Sequence, residues 1–483
     1  MIKRVLAQLF VIIFLFTGCS MILPDTTPQE IQVNETAKGN LINSYEIYVE
    51  YEKSDNILKC KENITYVNNQ GVPVENIVLY LYPNLYKSLD TVPAIGTPKN
   101  CYPLGFNPGY IQLASVKIED MELEKERIKE HDDFYIDIPL DKPIKENQSV
   151  DIEVEFLVKV PVSTTRFGQY EDITQFTYWY PILAAQEEGR WQIRDYYSIG
   201  ESNYSDIADY KVVIKLPLDE TIASTGRIVS EKNDEEGYKI VEIKAEKVRD
   251  FAWVSSPSFI VEEQIIDGVR IKSYFTKKNK KLGKEADEIG ADVIAYYNEV
   301  FGPYPYDELA IVETYLTGGG MEYPQLITLG QNHYKDMDRL ISVIAHEGAH
   351  QWWYVAVGND EHSSPWLDEG FANYSTQLYL AHRLGNNDNM NSLMKNYENL
   401  EAADHPLEAS VINFGTWKDY NDVIYKKGAL VLHRLRNAVG DESFFKIMQT
   451  YYQRYKLKNA HVADFLNVVE EVSGKEVVEK ILK

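Results

Sequence analysis

Basic residues are scarce in this sequence relative to acidic ones. Lysine and arginine total 49 against 74 aspartates and glutamates, so the formal net charge of the 483-residue chain is −25. Nucleic-acid phosphates need a basic face, and this balance therefore argues against a nucleic-acid partner. The lysine-rich stretch Lys277–Lys284 does not change that conclusion, because such a run is typical of a solvated loop or helix start. The acidic excess fits a soluble surface.

Cysteine is rare as well. The sequence contains only Cys19, Cys60 and Cys101. A disulfide between Cys60 and Cys101 is compatible with this count, and so are two buried free thiols. The sequence alone does not separate these two alternatives.

Long apolar runs are absent except at the amino terminus. Residues 5–16 read VLAQLFVIIFLF, follow a basic start, and are followed by two small residues before Cys19. The run is short for a membrane-spanning helix, which needs about 20 residues, and its layout is that of a secretory signal. It resembles a bacterial lipoprotein signal, in which the cysteine becomes the lipidated first residue, although Phe16 stands where leucine is usual. An uncleaved membrane anchor is the alternative, because apolar residues resume at Met21.

The amino-terminal region is therefore expected to direct the chain to a membrane. We predict that residues 1–24 are a signal peptide or lipid-anchor region, with lipidation at Cys19. Residues 25–40 are polar and lack periodicity, which is typical of a flexible linker. Under either interpretation, the rest of the chain lies outside the cytoplasm and is anchored to the bacterial cell membrane.

The body of the chain changes its periodicity near residue 258. Apolar residues alternate with polar ones in SYEIYVEY (44–51) and in VDIEVEFLVKV (150–160), which predicts strands with one buried face. Helical periods dominate from residue 259 onward. The sequence thus predicts an α+β multidomain fold, with an N-terminal antiparallel β-sandwich or saddle domain at 41–258 and a mixed α/β, mainly helical domain at 259–483.

Two helices stand out in the second half. The stretch DMDRLISVIAHEGAHQWWYVAVG predicts a long helix that begins at a cap at Asp336 or Asp338 and ends at Gly358. The stretch SPWLDEGFANYSTQLYLAHRLG predicts a second helix that is capped by Ser364 and followed by Gly385. Ahead of both, the short predicted strands ELAIVET and QLITLG flank a glycine loop, GGGMEYP.

The first helix carries the motif HEGAH. His346 and His350 are four residues apart, so they project from the same helical face and can share one zinc ion. Glu347 lies between them, within reach of an attacking water. A pair of histidines in a packed helix is the alternative, and a third ligand separates the two interpretations, because catalytic zinc commonly takes three protein ligands. Glu369 follows His350 after eighteen residues, enough to turn into an antiparallel helix, and is the predicted third ligand.

This arrangement resembles the gluzincin aminopeptidases of the membrane alanyl aminopeptidase family. The zinc motif, its spacing to the glutamate and the surrounding WLDEGFA are shared, although the family usually has asparagine at the position of Asp368. GGMEY resembles the G-x-M-E-N motif of the family, with Tyr323 in place of asparagine, and YKKGA (425–429) resembles Y-x-K-G-A. Over residues 303–429, the resemblance implies a zinc-dependent peptidase with one catalytic ion and a thermolysin-like catalytic domain that acts on peptides.

The resemblance also implies roles for single residues. Glu347 is the expected general base, and Tyr425 is expected to donate a hydrogen bond to the oxyanion of the tetrahedral intermediate. Read alone, Glu322 would be a solvated acid in a glycine turn; by resemblance it binds the free α-amino group of the substrate. Asp368 and Asn373 are candidates for orienting the histidines, although surface or capping roles are the more ordinary interpretation. The residues expected to lie beside the peptide are Gly319, Gly320 and Met321.

Two features of the family have no clear counterpart. The second acidic or amide group that the sheet domain usually supplies is not evident, with Gln175 as the best candidate. The large helical C-terminal domain of many relatives is also missing before Lys483, which predicts a more open cleft. The leading hypothesis is an aminopeptidase that removes N-terminal residues from peptides outside the cytoplasm. The alternatives are a zinc endopeptidase of the same fold and a non-catalytic surface binding protein, and the intact set of ligands, base and tyrosine argues against the latter.

Overall fold

The computed structural model describes the chain at residues 34–35, 42–94, 96–201, 203–234, 236–398 and 405–481. The predicted signal or anchor region at 1–24, with Cys19, lies outside these residues, as does most of the predicted linker at 25–40. Within that linker, Asn34–Glu35 pairs as a short strand, with Asn34 opposite Ser149. The chain from residue 33 onward forms one compact unit. Among the described residues, no helix is both long and apolar enough to cross a membrane.

The first half consists of strands, as its period-two pattern predicts. Three short 3-10 helices interrupt them, at Tyr82–Lys87, Pro98–Cys101 and Lys125–Arg127. The strands are β1 (Asn34–Glu35), β2 (Asn43–Glu52), β3 (Ile57–Val67), β4 (Val74–Tyr80), β5 (Tyr110–Ile118), β6 (Met121–Glu122), β7 (Lys129–His131), β8 (Tyr135–Ile144), β9 (Gln148–Lys159), β10 (Gly168–Tyr170), β11 (Ile173–Phe176), β12 (Ile182–Leu183), β13 (Gln186–Glu187), β14 (Arg190–Trp191), β15 (Ala208–Pro217), β16 (Thr221–Ser224), β17 (Arg227–Asn233), β18 (Tyr238–Val248) and β19 (Trp253–Ser256).

These strands form three main sheets. The largest has the order β17-β18-β15-β2-β3-β9-β5-β6, with β1 also paired to β9, and two four-stranded sheets have the orders β10-β11-β19-β16 and β12-β4-β8-β7. The alternation predicted along β2 and β9 is confirmed, because their apolar residues are buried at every second position. The antiparallel prediction is wrong for one pair, since β2 and β15 run parallel, and the long stretch of chain between these two strands permits that direction. Cys60 and Cys101 are both buried free thiols.

The second half combines one sheet with a set of helices. Its elements are β20 (Ile260–Ile266), β21 (Val269–Phe275), α1 (Lys280–Gly283), α2 (Ala286–Phe301), β22 (Glu308–Thr314), β23 (Gly320–Tyr323), β24 (Leu326–Gly330), α3 (Met337–His350), β25 (Val357–Gly358), α4 (Glu369–Leu384), α5 (Asp388–Glu398), α6 (Trp417–Tyr420), a π-helical segment (Asn421–Lys427), α7 (Gly428–Val439), α8 (Asp441–Tyr455), β26 (Lys458–Asn459), α9 (Val462–Ser473) and α10 (Lys475–Ile481). The sheet order is β20-β21-β22-β24-β23, which makes β23 an edge strand. The fold class predicted from the sequence, a β-rich first half followed by a mainly helical second half, is confirmed.

The helix predicted to run to Gly358 is shorter than expected. It begins as predicted, because the Asp336 side chain accepts a hydrogen bond from the backbone N–H of Arg339 at 3.0 Å, but α3 ends at His350 and Gly358 lies in the short strand β25. In the second predicted helix, a 3-10 turn at Pro365–Leu367 precedes α4, and the Ser364 side chain makes no capping hydrogen bond. The predicted glycine loop is in part the strand β23.

Arg249 joins the two halves. Its guanidinium is buried beneath the turn that follows α3, and its Nε donates to the carbonyls of Tyr354 and Val355 at 2.7 and 3.1 Å. The backbone at Tyr354 has φ 118°, a conformation that is strained for a residue with a side chain, so the turn needs external support. Further hydrogen bonds run from Arg249 to the carbonyls of Ser205 (2.9 Å) and Lys458 (2.7 Å) and to the Asn459 side chain.

Replacing Arg249 with methionine should destabilise the whole unit. The substitution removes a buried donor and leaves several carbonyls without a partner, which is expected to lower the free energy of unfolding by about 3 kcal/mol or more. Urea unfolding followed by tryptophan fluorescence measures the shift in the midpoint. Arg227→Met, at an exposed position of β17, is the matched control and should leave the midpoint nearly unchanged. Equal midpoints for the two variants would contradict this role of Arg249.

Candidate active site

The last turn of α3 and the first turn of α4 bring three side chains together. His346 Nε2 and His350 Nε2 are 3.2 Å apart, and Glu369 Oε2 lies 3.3 Å from the former and 3.4 Å from the latter. The two helices pack against each other, so the separation of eighteen residues in sequence becomes direct contact. The convergence predicted from the motif is therefore present in the structure.

The geometry of these three atoms fits a bound zinc ion. Zinc bonds of about 2.0–2.1 Å at tetrahedral angles place neighbouring ligand atoms about 3.3 Å apart, which is the spacing found here. His350 and Glu369 are both buried, so their polar atoms are poorly hydrated. Because two imidazole nitrogens and a carboxylate oxygen converge on one point, a cation between them satisfies all three. His346, His350 and Glu369 are thus the residues that could hold the metal.

Asp368 is a buried partner of His350. Its side chain is 2% exposed, and its Oδ1 contacts His350 Nδ1. Burial alone lowers the pKa of the His350 imidazole, but the Asp368 carboxylate outweighs that effect and raises it. The carboxylate fixes Nδ1 as the protonated nitrogen and leaves Nε2 free for a metal. Asp368 is therefore placed to orient His350, as one of the two interpretations from the sequence had it, and the surface or capping interpretation is wrong. The Asn373 amide donates to the carbonyl of Tyr425 at 3.0 Å.

Replacing Asp368 with alanine is expected to weaken zinc binding by about 10- to 100-fold, the usual effect of losing an outer carboxylate partner. The loss follows because the His350 ring is no longer held in one tautomer and orientation. Competition with a zinc chelator measures the affinity. Asp90→Ala, an exposed aspartate in the first half, is the control and should bind zinc as the unsubstituted chain does. Unchanged affinity in the Asp368 variant would show that the contact does not support the metal site.

Glu347 faces β23, the edge strand of the sheet in the second half of the chain. It is buried, and burial raises the pKa of its carboxyl well above the ordinary value, with the Glu322 charge adding to the effect. A Cβ atom on Gly320 would lie 2.4 Å from Glu347 Oε1, so only glycine leaves room for the carboxylate at this point. Of the glycines in GGGMEYP, Gly320 therefore permits the close approach between β23 and α3, whereas a Cβ atom on Gly319 would meet nothing within 4 Å.

Glu322 lies on the edge strand β23. Its side chain is 3% exposed, and its Oε1 has no hydrogen-bond partner among the described residues. Ligand atoms of Glu322, Glu347 and His350 lie within 4.8 Å of one another. A buried carboxylate oxygen without a hydrogen-bond partner at this place is suited to a cation such as an ammonium group.

The neighbours of Glu322 contribute mainly through the backbone. Met321 is 1% exposed and packs in an apolar cluster that the two halves share, so it can face a peptide only through its main chain. Gly319 and Gly320 line the cleft. Tyr323, where the resembled family has asparagine, is buried against the ring of Tyr178 at 6.0 Å and belongs to the core.

Tyr425 lies opposite, on the π-helical segment. Its hydroxyl donates to Glu369 Oε1, and its ring stacks on His346 with centroids 5.9 Å apart. A π-helical turn re-aims the residues that follow it and is frequent at functional sites. Tyr425 therefore contacts two of the three predicted metal ligands, His346 through its ring and Glu369 through its hydroxyl.

Two charged residues of the cleft were missed in the sequence. Arg166 donates to Glu201, and both side chains are largely buried at the cleft wall. Burial raises the pKa of Glu201 to about 8, and Arg166 opposes that shift. Both residues lie in irregular segments where no periodicity or spacing marks them. The candidate named from the sequence, Gln175, points elsewhere, because its amide donates to the carbonyl of Thr165 at 3.2 Å.

One cleft of about 540 Å³ is lined by the three potential metal ligands together with Arg166, Glu201, Glu322, Glu347 and Tyr425. It has the volume of an ordinary small-ligand or peptide site. It contains three potential metal ligands, a buried carboxylate beside them and a second carboxylate at an open strand edge. These are the groups that hydrolysis of a peptide bond requires.

Comparisons with known proteins agree with this chemistry. Residues 285–483 match the family model described as the Peptidase family M1 domain. The probable aminopeptidase 2 of Sulfurisphaera tokodaii is 29% identical over 214 residues, which are 41% of this chain and 27% of that protein. Aminopeptidase M1 of Arabidopsis thaliana is 28% identical over 300 residues, 56% of this chain and 33% of that protein. The chain thus spans about a quarter to a third of the length of these curated relatives.

The fold is matched over nearly the whole chain. The crystal structure of the M1 zinc metallopeptidase from Deinococcus radiodurans superposes with a TM-score of 0.64, covering 92% of this chain and 94% of that one at 15% identity. At 15% identity, the structural similarity shows the fold alone. The similarity extends over both the sheet half and the helical half of the chain. The part of the chain that matches the Peptidase family M1 domain model, residues 285–483, contains the converging histidines and Glu369.

Proposed function

We propose that this chain is a zinc-dependent aminopeptidase. The observation that carries the proposal is the triangle of His346, His350 and Glu369 ligand atoms at 3.2–3.4 Å, with Glu347 and Glu322 beside it. Aminopeptidases among the relatives support the activity, and a crystal structure of a variant of the Deinococcus radiodurans metallopeptidase contains a Tyr-Ser-Ala substrate.

The residues of the cleft divide the reaction between them. When bound to His346, His350 and Glu369, zinc supplies Lewis-acid chemistry that polarises a carbonyl and favours deprotonation of water. Glu347 takes the proton of the attacking water on its carboxylate and later passes it to the leaving amine nitrogen. The Tyr425 hydroxyl, which donates to Glu369 Oε1 in the structure, would turn its proton to the oxygen that becomes negatively charged.

The N-terminus of the substrate is held at the edge strand. A peptide that lies along β23 gains main-chain hydrogen bonds from that edge, and its ammonium group meets Glu322, whose Oε1 is buried without a partner. Glu201 adds a second carboxylate at the wall of the same cleft, although Arg166 balances its charge. This arrangement favours a free N-terminus over a blocked one.

Replacing Glu322 with glutamine tests this assignment. We expect kcat/KM on aminoacyl substrates to fall about 10- to 100-fold, because a hydrogen bond to a charged group contributes about 1.5–3 kcal/mol. Zinc content should not change, and any residual cleavage of N-acetylated peptides should be unaffected. Glu124→Gln, at an exposed position, is the matched control. If Glu322→Gln cleaved peptides with free N-termini as fast as the unsubstituted chain does, Glu322 would not be the group that binds the N-terminus. That result would favour an endopeptidase of the same fold.

The proposal extends to the location of the enzyme. The apolar run at 5–16 and the small residues before Cys19 support a lipid-anchored protein that acts outside the cytoplasm at the bacterial cell membrane. Radiolabelled fatty acid should be incorporated into the full-length chain in bacterial cells and not into Cys19→Ala. Equal labelling of both, or a chain that stays in the cytoplasmic fraction, would overturn this part of the proposal.

A further inference from the structure

The turn that follows α3 contains a residue in a strained backbone conformation. Tyr354 has φ 118°, in the left-handed region that residues with a side chain rarely adopt, and it is 4% exposed. Such a conformation persists only where the surrounding structure holds it, and it is found often at functional sites. The contacts around Tyr354 therefore show what holds the turn and what the turn does.

Asp250 holds the side chain of Tyr354. It lies in the connection between β18 and β19, next to Arg249, whose Nε donates to the carbonyl of the same tyrosine at 2.7 Å. The Tyr354 hydroxyl donates to Asp250 Oδ2 at 3.0 Å, and Asp250 is 1% exposed, so this hydrogen bond is made away from water and is the stronger for it. A second residue with positive φ, Tyr178 (φ 49°), places its hydroxyl 3.4 Å from that of Tyr354. The sheet half thus fixes both the main chain and the side chain of Tyr354.

The strained turn directs a carbonyl at one of the three potential metal ligands. Trp353 precedes Tyr354, and its carbonyl oxygen lies 3.2 Å from His350 Nδ1. The proton on Nδ1 therefore has two acceptors, because Asp368 Oδ1 contacts the same nitrogen. Two acceptors from different directions restrict the tilt and rotation of the imidazole ring more than one does. The Trp353 carbonyl and the Tyr354 N–H belong to one planar peptide unit, so φ at Tyr354 sets where that carbonyl points.

We propose that Asp250 and Tyr354 are positioning residues for the metal centre. The hydrogen bond between them holds the peptide unit before Tyr354 in the orientation that points the Trp353 carbonyl at His350. The cost of the strained backbone and the gain from a buried hydrogen bond to a carboxylate are of similar size, so loss of that bond lets the turn relax and withdraws the carbonyl. This inference rests on the zinc site of the proposed function, but not on the choice between aminopeptidase and endopeptidase action.

The zinc affinity of substituted chains tests the proposal. Tyr354→Phe and Asp250→Ala should each weaken zinc binding about tenfold, the lower end of what loss of an outer partner causes. The double variant should be no weaker than either single variant, because both remove the same hydrogen bond. Asp250→Asn keeps an oxygen that accepts from the Tyr354 hydroxyl, so it should bind zinc within about twofold of the unsubstituted chain. Competition with a chelator, well below the unfolding temperature of every variant, measures these affinities.

Tyr51→Phe is the matched control. Tyr51 is also buried, and its hydroxyl is hydrogen-bonded to the Thr174 side chain at 3.1 Å within the sheet half. The control variant loses the same kind of group and should lower the urea midpoint, but its zinc affinity should not change. The cobalt-substituted chain provides a second readout, because its visible absorption depends on the geometry of the metal ligands. Tyr354→Phe should shift that absorption, and Tyr51→Phe should leave it as it is.

Several results would overturn the proposal. Unchanged zinc affinity in Tyr354→Phe and Asp250→Ala would show that the turn does not position His350, and an equal loss in Tyr51→Phe would show a general effect of stability. Additive losses in the double variant, or a tenfold loss in Asp250→Asn, would show that the hydrogen bond between the two residues is not the cause. A chain that has the expected affinities but cleaves no peptide would refute the proposed function and leave this inference standing.

Discussion

Glu347→Gln should retain one zinc ion per chain and lose turnover. The side chain contributes no ligand to the triangle of His346, His350 and Glu369, so the metal site stays intact. Glutamine cannot accept the proton of the attacking water, and removal of a general base typically lowers kcat by about 100- to 10,000-fold. Glutamine also keeps the size of the side chain, so that its close approach to Gly320 is preserved.

Two measurements on the same preparation decide this prediction. Elemental analysis gives the zinc content, and hydrolysis of an aminoacyl amide gives kcat and KM. Glu398→Gln, an exposed glutamate at the end of α5, should match the unsubstituted chain in both. Undiminished kcat in Glu347→Gln would show that another group moves the proton, and loss of zinc would show that Glu347 is a ligand instead.

Glu369→Ala should lose the metal itself. The substitution removes one of three converging ligand atoms and also the acceptor of the Tyr425 hydroxyl. We expect zinc affinity to fall by more than the roughly 10- to 100-fold expected when an outer partner such as Asp368 is lost. The remaining two imidazoles lie in a buried site and offer only half of a tetrahedral shell.

Dialysis against a series of chelator concentrations measures this loss. Glu369→Ala should release its zinc at chelator concentrations that leave the unsubstituted chain loaded, and Asp368→Ala should fall between them. Glu398→Ala provides the exposed control. Retention of stoichiometric zinc by Glu369→Ala would mean that the geometry at α4 does not define the metal site.

Much of the fold could be predicted from local patterns. The buried positions of β2 and β9 follow the period of two in the sequence, because each of these strands has one face in the core. The convergence of His346, His350 and Glu369 follows from helical spacing and a connection long enough to reverse direction. These features depend on near neighbours in the chain, which is why the sequence carries them.

Other features depend on contacts between distant parts of the chain. α3 ends at His350, and Arg249 from the sheet half holds the turn that follows it. In that turn Tyr354 has a φ of 118°, a backbone conformation that a tyrosine in the sequence does not predict. The parallel pairing of β2 with β15 depends on the assembly of the whole sheet. Glu201 enters the cleft from an irregular segment, and no periodicity distinguishes it from a solvated glutamate.

The burial of Asp368 was missed for a related reason. An aspartate just before a helix usually caps it or faces solvent, and here it lies against His350, which belongs to another helix. The one feature of the sequence that points to a role for Asp368 at the metal site is its position next to Glu369, the third predicted ligand.

The most direct test of the central claim is a turnover assay on matched peptides with free and acetylated N-termini, with and without a zinc chelator. We expect rapid removal of the first residue from the free peptide, little cleavage of the acetylated one, loss of activity with chelator and recovery when zinc is restored. Cleavage of both peptides at similar rates, or activity that survives complete removal of zinc, would contradict the account.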